Sequence, residues 1–247
     1  MSVADGALRP VVAITQARIG SSRLPRKVLL EVAGETLLWW HLTRLARAAT
    51  LDAIVVATTD EQGSGAIVAV AERVGVRWVR GPVEDVLERY RIAAASAGAA
   101  TVVRVTSDCP LIDPDLVDLA VLAYHETAAS CRYLNLDAHR YPRGLDCEVF
   151  ARAALDEACA RATEPHEREH VTPYIRRHAA RFGTRQLAPA EPVEPHRWCV
   201  DTPDDLALIR RVLETLGGQK FGWRDVLSLL AAHPDWRDLN AHVMQKP

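Results

Sequence analysis

Four cations crowd into ten residues just beyond the first apolar run of the chain. Arg18, Arg23, Arg26 and Lys27 follow VVAIT, with Gly20, Ser21 and Ser22 among them. Backbone N–H groups around a Gly-Ser turn, flanked by Arg and Lys, suit a polyphosphate. The Walker spacing G-x-x-x-x-G-K-[ST] is absent, so this is not a P-loop. A solvated surface loop is the competing reading, and the position after a strand favours the phosphate. Two aspartates distant in sequence each close an apolar run, Asp108 after VVRVTS and Asp201 after RWCV. Singly they read as a turn residue and a residue flanking a helix. Brought together beside a polyphosphate they would hold Mg²⁺, which takes a few carboxylates and completes its shell with phosphate oxygens and water.

Two further segments bear on chemistry. Tyr141-Pro142-Arg143-Gly144-Leu145-Asp146-Cys147-Glu148 is a dense polar stretch between extended runs. It reads either as a turn with an internal ion pair or as a grip on an acidic or polyhydroxylated ligand, since Arg binds carboxylates bidentately. His166-Glu167-Arg168-Glu169-His170 matches H-E-x-x-H, the zinc-protease pattern. Its setting argues against that chemistry. Pro165 precedes it, all five residues are polar, Pro173 follows closely, and no third ligand stands at a familiar spacing.

The elements that must position these groups alternate. Val11–Thr15, Ala53–Thr58, Arg77–Val79 and Thr101–Val105 read as buried strands. Between them run helical stripes: Leu37, Leu38, Leu42 and Leu45; Ile67, Val68 and Ala71; Val86, Leu87, Tyr90 and Ala94. Such alternation predicts a parallel α/β sheet whose ligands sit beyond the carboxyl ends of the strands. Asp113-Pro114 opens a helix. Extended runs over Tyr133–Leu136, Leu145–Phe150 and His196–Val200 are expected, with helices over Ala151–Arg161 and Glu167–His178. Thr202 and Asp205 are spaced as a capping box, and Trp223–Ala232 is a last helix. At 247 residues, 49% hydrophobic, the chain can bury one large core. Net charge is −2, so no global field recruits nucleic acid or an anionic membrane. No run approaches a membrane span, the N-terminus lacks a signal peptide's apolar core, and five scattered cysteines suit a reducing cytoplasm.

The segment QARIGSSRLPRKVL resembles the nucleotide-binding signature R-x-x-S-x-R-L-P-x-K of the sugar-acid cytidylyltransferases, a group that includes the CMP-Kdo and acylneuraminate synthetases. VVATTD, RGPVEDVLERY, RVTSDCPLIDPDLVD, YPRGLDCEVF, EREHVTPYI, WCVDTPDDL and the C-terminal FGWRDVLSLLAAHPDWRDLNAHVMQK are similar to its SpsF-like branch. The resemblance implies a Rossmann-like nucleotide-diphospho-sugar transferase fold, three-layer α/β/α with a mixed, mainly parallel sheet, commonly dimeric. It implies CTP plus a sugar acid giving a CMP-sugar and pyrophosphate, with Mg²⁺ as cofactor. By match, Arg18, Ser21, Arg23 and Lys27 hold the triphosphate, with Gly20 in the turn. Ala17, Gly81 and Asp85 face base and ribose, Asp108 and Asp201 are the metal carboxylates, and Arg143, Asp146, Glu148 and His170 lie where the acceptor belongs. Arg18, Lys27 and Asp108 carry the chemistry.

Two departures stand out. Arg26 occupies a position where this branch often has glycine, and Thr106-Ser107 replaces a glutamine-glycine pair of the Kdo enzymes. A single nucleotidyltransferase domain over 1–218, with an acceptor and dimerisation segment near 131–190, and a helical extension over 219–247 are expected. A glycosyltransferase on the same fold would have less need of Arg18, Arg23 and Lys27 together. A non-catalytic nucleotide-binding subunit would have no need of both aspartates.

Overall fold

The computed structural model describes residues 8–21 and 23–244; residues 1–7, Ser22 and 245–247 lie outside the described residues. β1 (Val11–Gln16) is flanked in parallel by β4 (Ala53–Thr59) and β6 (Thr101–Thr106), and β5 (Arg77–Gly81) extends the sheet beyond β4. A small hairpin, β2 (Glu31–Val32) and β3 (Glu35–Thr36), precedes the first helix, Leu37–Leu45. On the other side, β8 (Glu148–Ala151) runs antiparallel to β6, and β7 (Tyr133–Leu136) antiparallel to β8. β9 (Thr184–Leu187) closes that edge parallel to β7. The order β5-β4-β1-β6-β8-β7-β9 is a mixed, mainly parallel sheet.

Both faces of the sheet are covered, which is why the central strands are continuous apolar runs. Val11 and Ala13 face one core with the helices Leu37–Leu45, Pro114–Thr127 and Pro203–Leu216. Val12 and Ile14 face the other, filled by Val86, Leu87 and Tyr90 of the helix Val86–Ser96 and by Leu155 and Ile175. The helix Trp223–Ala232 places Trp223, Val226 and Leu230 in the first of these cores. Asp113 joins the two parts: its Oδ1 caps the helix Pro114–Thr127, and its Oδ2 accepts from the Trp223 N–H at 2.6 Å.

Several expected elements differ. The strand read as buried over Arg77–Val79 is an exposed edge strand, and the extended run read over Leu145–Phe150 is a strand only from Glu148. The helix read over Glu167–His178 is two short ones, Pro165–His170 and Pro173–Arg177. Pro173 has no N–H to continue the ladder, and Val171 takes φ 71° at the break. The run His196–Val200 forms no strand; it makes one bridge, Arg143 to Arg197.

Candidate active site

The cation loop leaves the sheet at a central strand and is tied down where it leaves. The Ala17 N–H donates to the Ala57 carbonyl at 3.2 Å, and Ser107 Oγ donates to the Gln16 carbonyl at 2.6 Å, which fixes this loop against the one after β6. Ala17 is buried, whereas Arg18 and Gly20 are exposed and Ser21 is half-buried. The loop then folds back: the Arg26 N–H donates to the Ile19 carbonyl and the Lys27 N–H to that of Leu24, both at 3.2 Å. A 3-10 turn, Lys27–Leu29, follows.

Arg26, where the resemblance leads one to expect glycine, sits at φ 56°, ψ 24°. It keeps the left-handed backbone that glycine adopts freely and that an L side chain reaches at a cost. Its side chain is exposed. Arg26→Gly should therefore leave stability unchanged or raise it by up to about 1 kcal/mol, while Arg26→Val should lower it by about 1–2 kcal/mol. Urea unfolding of the two variants checks this ordering.

Lys27 is the centre of the site. Its Nζ donates to Asp108 Oδ2 and to Asp201 Oδ1, each at 2.7 Å. Burial works against the charge on Lys27, and the two carboxylates more than reverse it, so the ammonium is held above its ordinary pKa. Burial likewise works to raise the Asp108 carboxyl, and Lys27 overrides it and holds it below the usual range. Arg23 also reaches Asp201 Oδ2, at 3.0 Å.

The two aspartates meet although only one follows a strand. The Val200 N–H donates to the Asp108 carbonyl at 2.8 Å, which sets the 196–200 segment beside the loop after β6. Asp201 is then held by groups that its own sequence context does not announce. Arg197 donates to Asp201 Oδ2 at 2.6 Å and to Asp205 Oδ1 at 2.9 Å. Asp205 also accepts from the Asp201 and Thr202 N–H groups, completing the capping box. Asn240 Nδ2, from the C-terminal segment, donates to Asp205 Oδ1 and to the Arg197 carbonyl at 2.8 and 2.9 Å. The end of the chain thus braces the second aspartate.

Among the described residues no cluster of three or more His, Cys, Asp and Glu is placed to hold a metal. The pair Asp108 and Asp201 nevertheless converges on one cation position, the one taken by the Lys27 ammonium. Two hard carboxylate oxygens on one point fit Mg²⁺, which draws its remaining ligands from phosphates and water.

The other expected site residues divide. Arg143 and Asp146 pair at 2.6 Å, and the Tyr141–Gly144 turn hydrogen-bonds the 196–198 segment, with Trp198 N–H donating to the Arg143 carbonyl at 2.6 Å. They therefore flank the aspartates. Gly144 has φ 103°, and a Cβ there would lie 2.7 Å from the Trp198 backbone, so glycine is required for this approach. Gly81 ends β5. Asp85 is fully engaged: Oδ1 caps the helix Val86–Ser96 at the Glu88 N–H, 2.9 Å, and Oδ2 pairs with Arg168.

Glu148 is buried in a network with Arg104 (2.5 Å), the Tyr133 hydroxyl (2.6 Å) and the Thr172 hydroxyl (2.8 Å). Its neighbours occupy it in the free protein. His170 is half-buried, its ring 4.6 Å from that of His166, and Glu167 between them is buried against Arg177.

The Glu148 network makes a stability prediction. Burial works to raise the Glu148 carboxyl and Arg104 more than offsets it, leaving the pKa below its ordinary 4.5. A depressed carboxyl contributes stability that is complete above its unfolded value and lost as pH falls through the folded one. Glu148→Gln should cost about 3–5 kcal/mol at pH 7, because Arg104 is left uncompensated. Denaturant unfolding should show that gap to wild type narrowing only below about pH 4.5.

With this geometry the comparisons with known proteins agree. A family model described as Cytidylyltransferase matches residues 12–220. The spore coat polysaccharide biosynthesis protein SpsF of Bacillus subtilis is 31% identical over 236 residues, covering 92% of this chain and 97% of that one. The structure of a cytidylyltransferase from Leptospira borgpetersenii superposes with a TM-score of 0.89 at 28% identity, covering 95% of this chain and 99% of that one. A CMP:2-keto-3-deoxy-manno-octonic acid synthetase complexed with CTP shares the fold at a TM-score of 0.65 and 20% identity, covering 83% and 98%. A cation loop after the first strand, two converging aspartates and a family match over most of the length lead to one placement: the chain belongs to the cytidylyltransferase family and is a nucleotidyltransferase.

Proposed function

We propose that the protein is a Mg²⁺-dependent cytidylyltransferase that moves CMP from CTP to a sugar acid or a similar anionic acceptor, releasing pyrophosphate, in the building of a cell-surface polysaccharide. The observation that carries this reading is the Lys27 ammonium set 2.7 Å from both Asp108 and Asp201, beside a loop of arginines at the end of β1. Family membership supports the cytidylyl donor. The acceptor and the metal rest on the chemistry of the residues.

In this reading Arg18, Ser21 and Arg23 hold the triphosphate, with Lys27 donating to the oxygens that gain charge as the α–β bond breaks. Asp108 and Asp201 would hold Mg²⁺, which would neutralise phosphoryl charge and align the acceptor hydroxyl with the α-phosphorus. Arg143, beside this centre and linked to Asp146, is placed to take an acceptor carboxylate. Free thiols at all five cysteines accord with a cytoplasmic enzyme, and we take it as a homodimer. Incubation with Mg²⁺, each of the four nucleoside triphosphates and a panel of sugar acids, following pyrophosphate, tests the reading. Release that needs CTP and a sugar acid together is the expected result. Release with no acceptor dependence, or from no triphosphate, would overturn it.

A further inference from the structure

Each of the two aspartates turns one carboxylate oxygen to the shared cation position and has the other engaged. Asp108 presents Oδ2 to the Lys27 ammonium, while its Oδ1 accepts from the Cys109 thiol at 3.5 Å. Asp201 presents Oδ1, while its Oδ2 accepts from Arg197 Nη2 at 2.6 Å and pairs with Arg23 at 3.0 Å. The two arginines differ in how they are held. Arg23 stands on the cation loop with 29% of its side chain exposed, so it can turn to a triphosphate. Arg197 has only 9% of its side chain exposed and is bound by other groups as well.

Those groups are a buried acid and the end of the chain. Arg197 Nε donates to Asp205 Oδ1 at 2.9 Å, and Asp205 is wholly buried in the first turn of the helix Pro203–Leu216. Asn240, also buried, faces the Arg197 carbonyl at 2.9 Å and Asp205 Oδ1 at 2.8 Å. Both are acceptors, so the amide nitrogen must be the atom turned to them, and both of its hydrogens are used. Just before Asn240, in the short helix Pro234–Arg237, Trp236 packs against the core and meets the Arg211 guanidinium at 5.4 Å. A line of contacts, Asn240 to Asp205 to Arg197 to Asp201, thus runs from the C-terminal segment to the carboxylate beside Lys27. Because a guanidinium is planar and rigid, holding two of its nitrogens fixes where the Asp201 carboxylate points.

A carboxylate whose second oxygen is engaged by a fixed guanidinium gives a cation only one. That suits Mg²⁺, which takes a near-ideal octahedron of one or two carboxylates, phosphate oxygens and water. It suits Ca²⁺ poorly, since that ion collects about six to eight oxygens and often grips a carboxylate by both. We propose that Arg197, braced by Asp205 and Asn240, is a positioning residue that holds Asp201 to one-oxygen ligation and so sets a preference for Mg²⁺ over Ca²⁺. This rests on the metal-dependent reading of the site and adds how the ion is chosen.

Displacement of Mn²⁺ by Mg²⁺ and by Ca²⁺ measures the preference without turnover. It is followed by electron paramagnetic resonance with a non-hydrolysable CTP analogue present, against the analogue alone, with thermal unfolding of each variant. Wild type should bind Mg²⁺ more tightly than Ca²⁺. Arg197→Lys keeps the charge but cannot span Asp201 and Asp205 as a fork does. It should lose Mg²⁺ affinity by about tenfold to a hundredfold, with Ca²⁺ affinity level or raised. Asn240→Ala, a change on a side chain that contacts Asp205 and the Arg197 carbonyl, should lower the Mg²⁺-to-Ca²⁺ ratio by about twofold to tenfold. It keeps the test open if Arg197→Lys does not fold. A general loss of stability would weaken both ions alike and leave the ratio where it was. A wild type that prefers Mg²⁺, with unchanged ratios in the folded variants, would overturn this inference and leave the enzyme reading intact. So would a wild type that binds the two ions equally. A wild type that binds no divalent ion beyond what the analogue holds would overturn both this inference and the metal-dependent reading.

Discussion

Lys27→Ala should lower turnover by roughly a hundredfold to a thousandfold, the usual loss when one preorganised donor to developing charge is removed. The side chain is fixed before any substrate arrives, with Nζ at 2.7 Å from two carboxylates and only 14% of the side chain exposed. Its charge is therefore aligned in advance. Lys27→Arg should not restore activity, because a planar fork cannot occupy the single point between Asp108 and Asp201. Lys27→Ala should still fold. It leaves two carboxylates facing one another, and since these are 25% and 14% exposed the cost should be about 1–3 kcal/mol, less than for a fully buried pair. Millimolar Mg²⁺ should recover part of that loss by taking the place of the ammonium. Pyrophosphate release and thermal unfolding with and without Mg²⁺ check both halves, and a near-wild-type rate would remove Lys27 from its role.

The second large effect is expected at the two carboxylates proposed to hold the metal. Asp108→Ala should also cost at least about a hundredfold in turnover, with loss of divalent cation binding in the presence of CTP. The geometry adds an order to these events. In the free protein Lys27 already occupies the cation position between the aspartates. A divalent ion must displace it, and a triphosphate offers the ammonium new oxygens when it does so. Wild type should thus bind Mn²⁺, used as a paramagnetic probe, weakly alone and much more tightly with a non-hydrolysable CTP analogue. Lys27→Met should bind Mn²⁺ without nucleotide, and Asp108→Ala should bind it in neither case. Tight nucleotide-independent binding by wild type would contradict the displacement.

Much of this site is legible in the sequence because its residues sit where strand and helix patterns change. Val11–Thr15 and Thr101–Val105 are readable as buried strands, each one residue short of the observed strand, so the cation loop and Asp108 could be assigned to one sheet edge. Asp201 was expected there because it follows an apolar run. It reaches the site by a different route, since that run forms no strand and is tied to the Asp108 loop through the Val200 N–H and to the 141–144 turn through Arg143 and Trp198. Arg197, Asp205 and Asn240, which position Asp201, are far apart or hidden in a capping motif, and no local pattern links them. β9 left no signal either, because Thr184, Arg185 and Gln186 are exposed on an edge strand and carry no apolar run. Arg26 shows the limit from the other side, since its residue type gives no sign of the left-handed backbone it adopts.

The central claim is that Lys27, Asp108 and Asp201 direct cleavage between the α- and β-phosphates of CTP. CTP labelled with ³²P at the α position, incubated with Mg²⁺ and the sugar-acid panel, tests it most directly. The account predicts that the α label moves into a new acceptor conjugate, that a γ label appears only in pyrophosphate, and that Lys27→Ala suppresses both together. Transfer of the γ label to the acceptor, or a conjugate formed only from a finished nucleotide sugar, would contradict it.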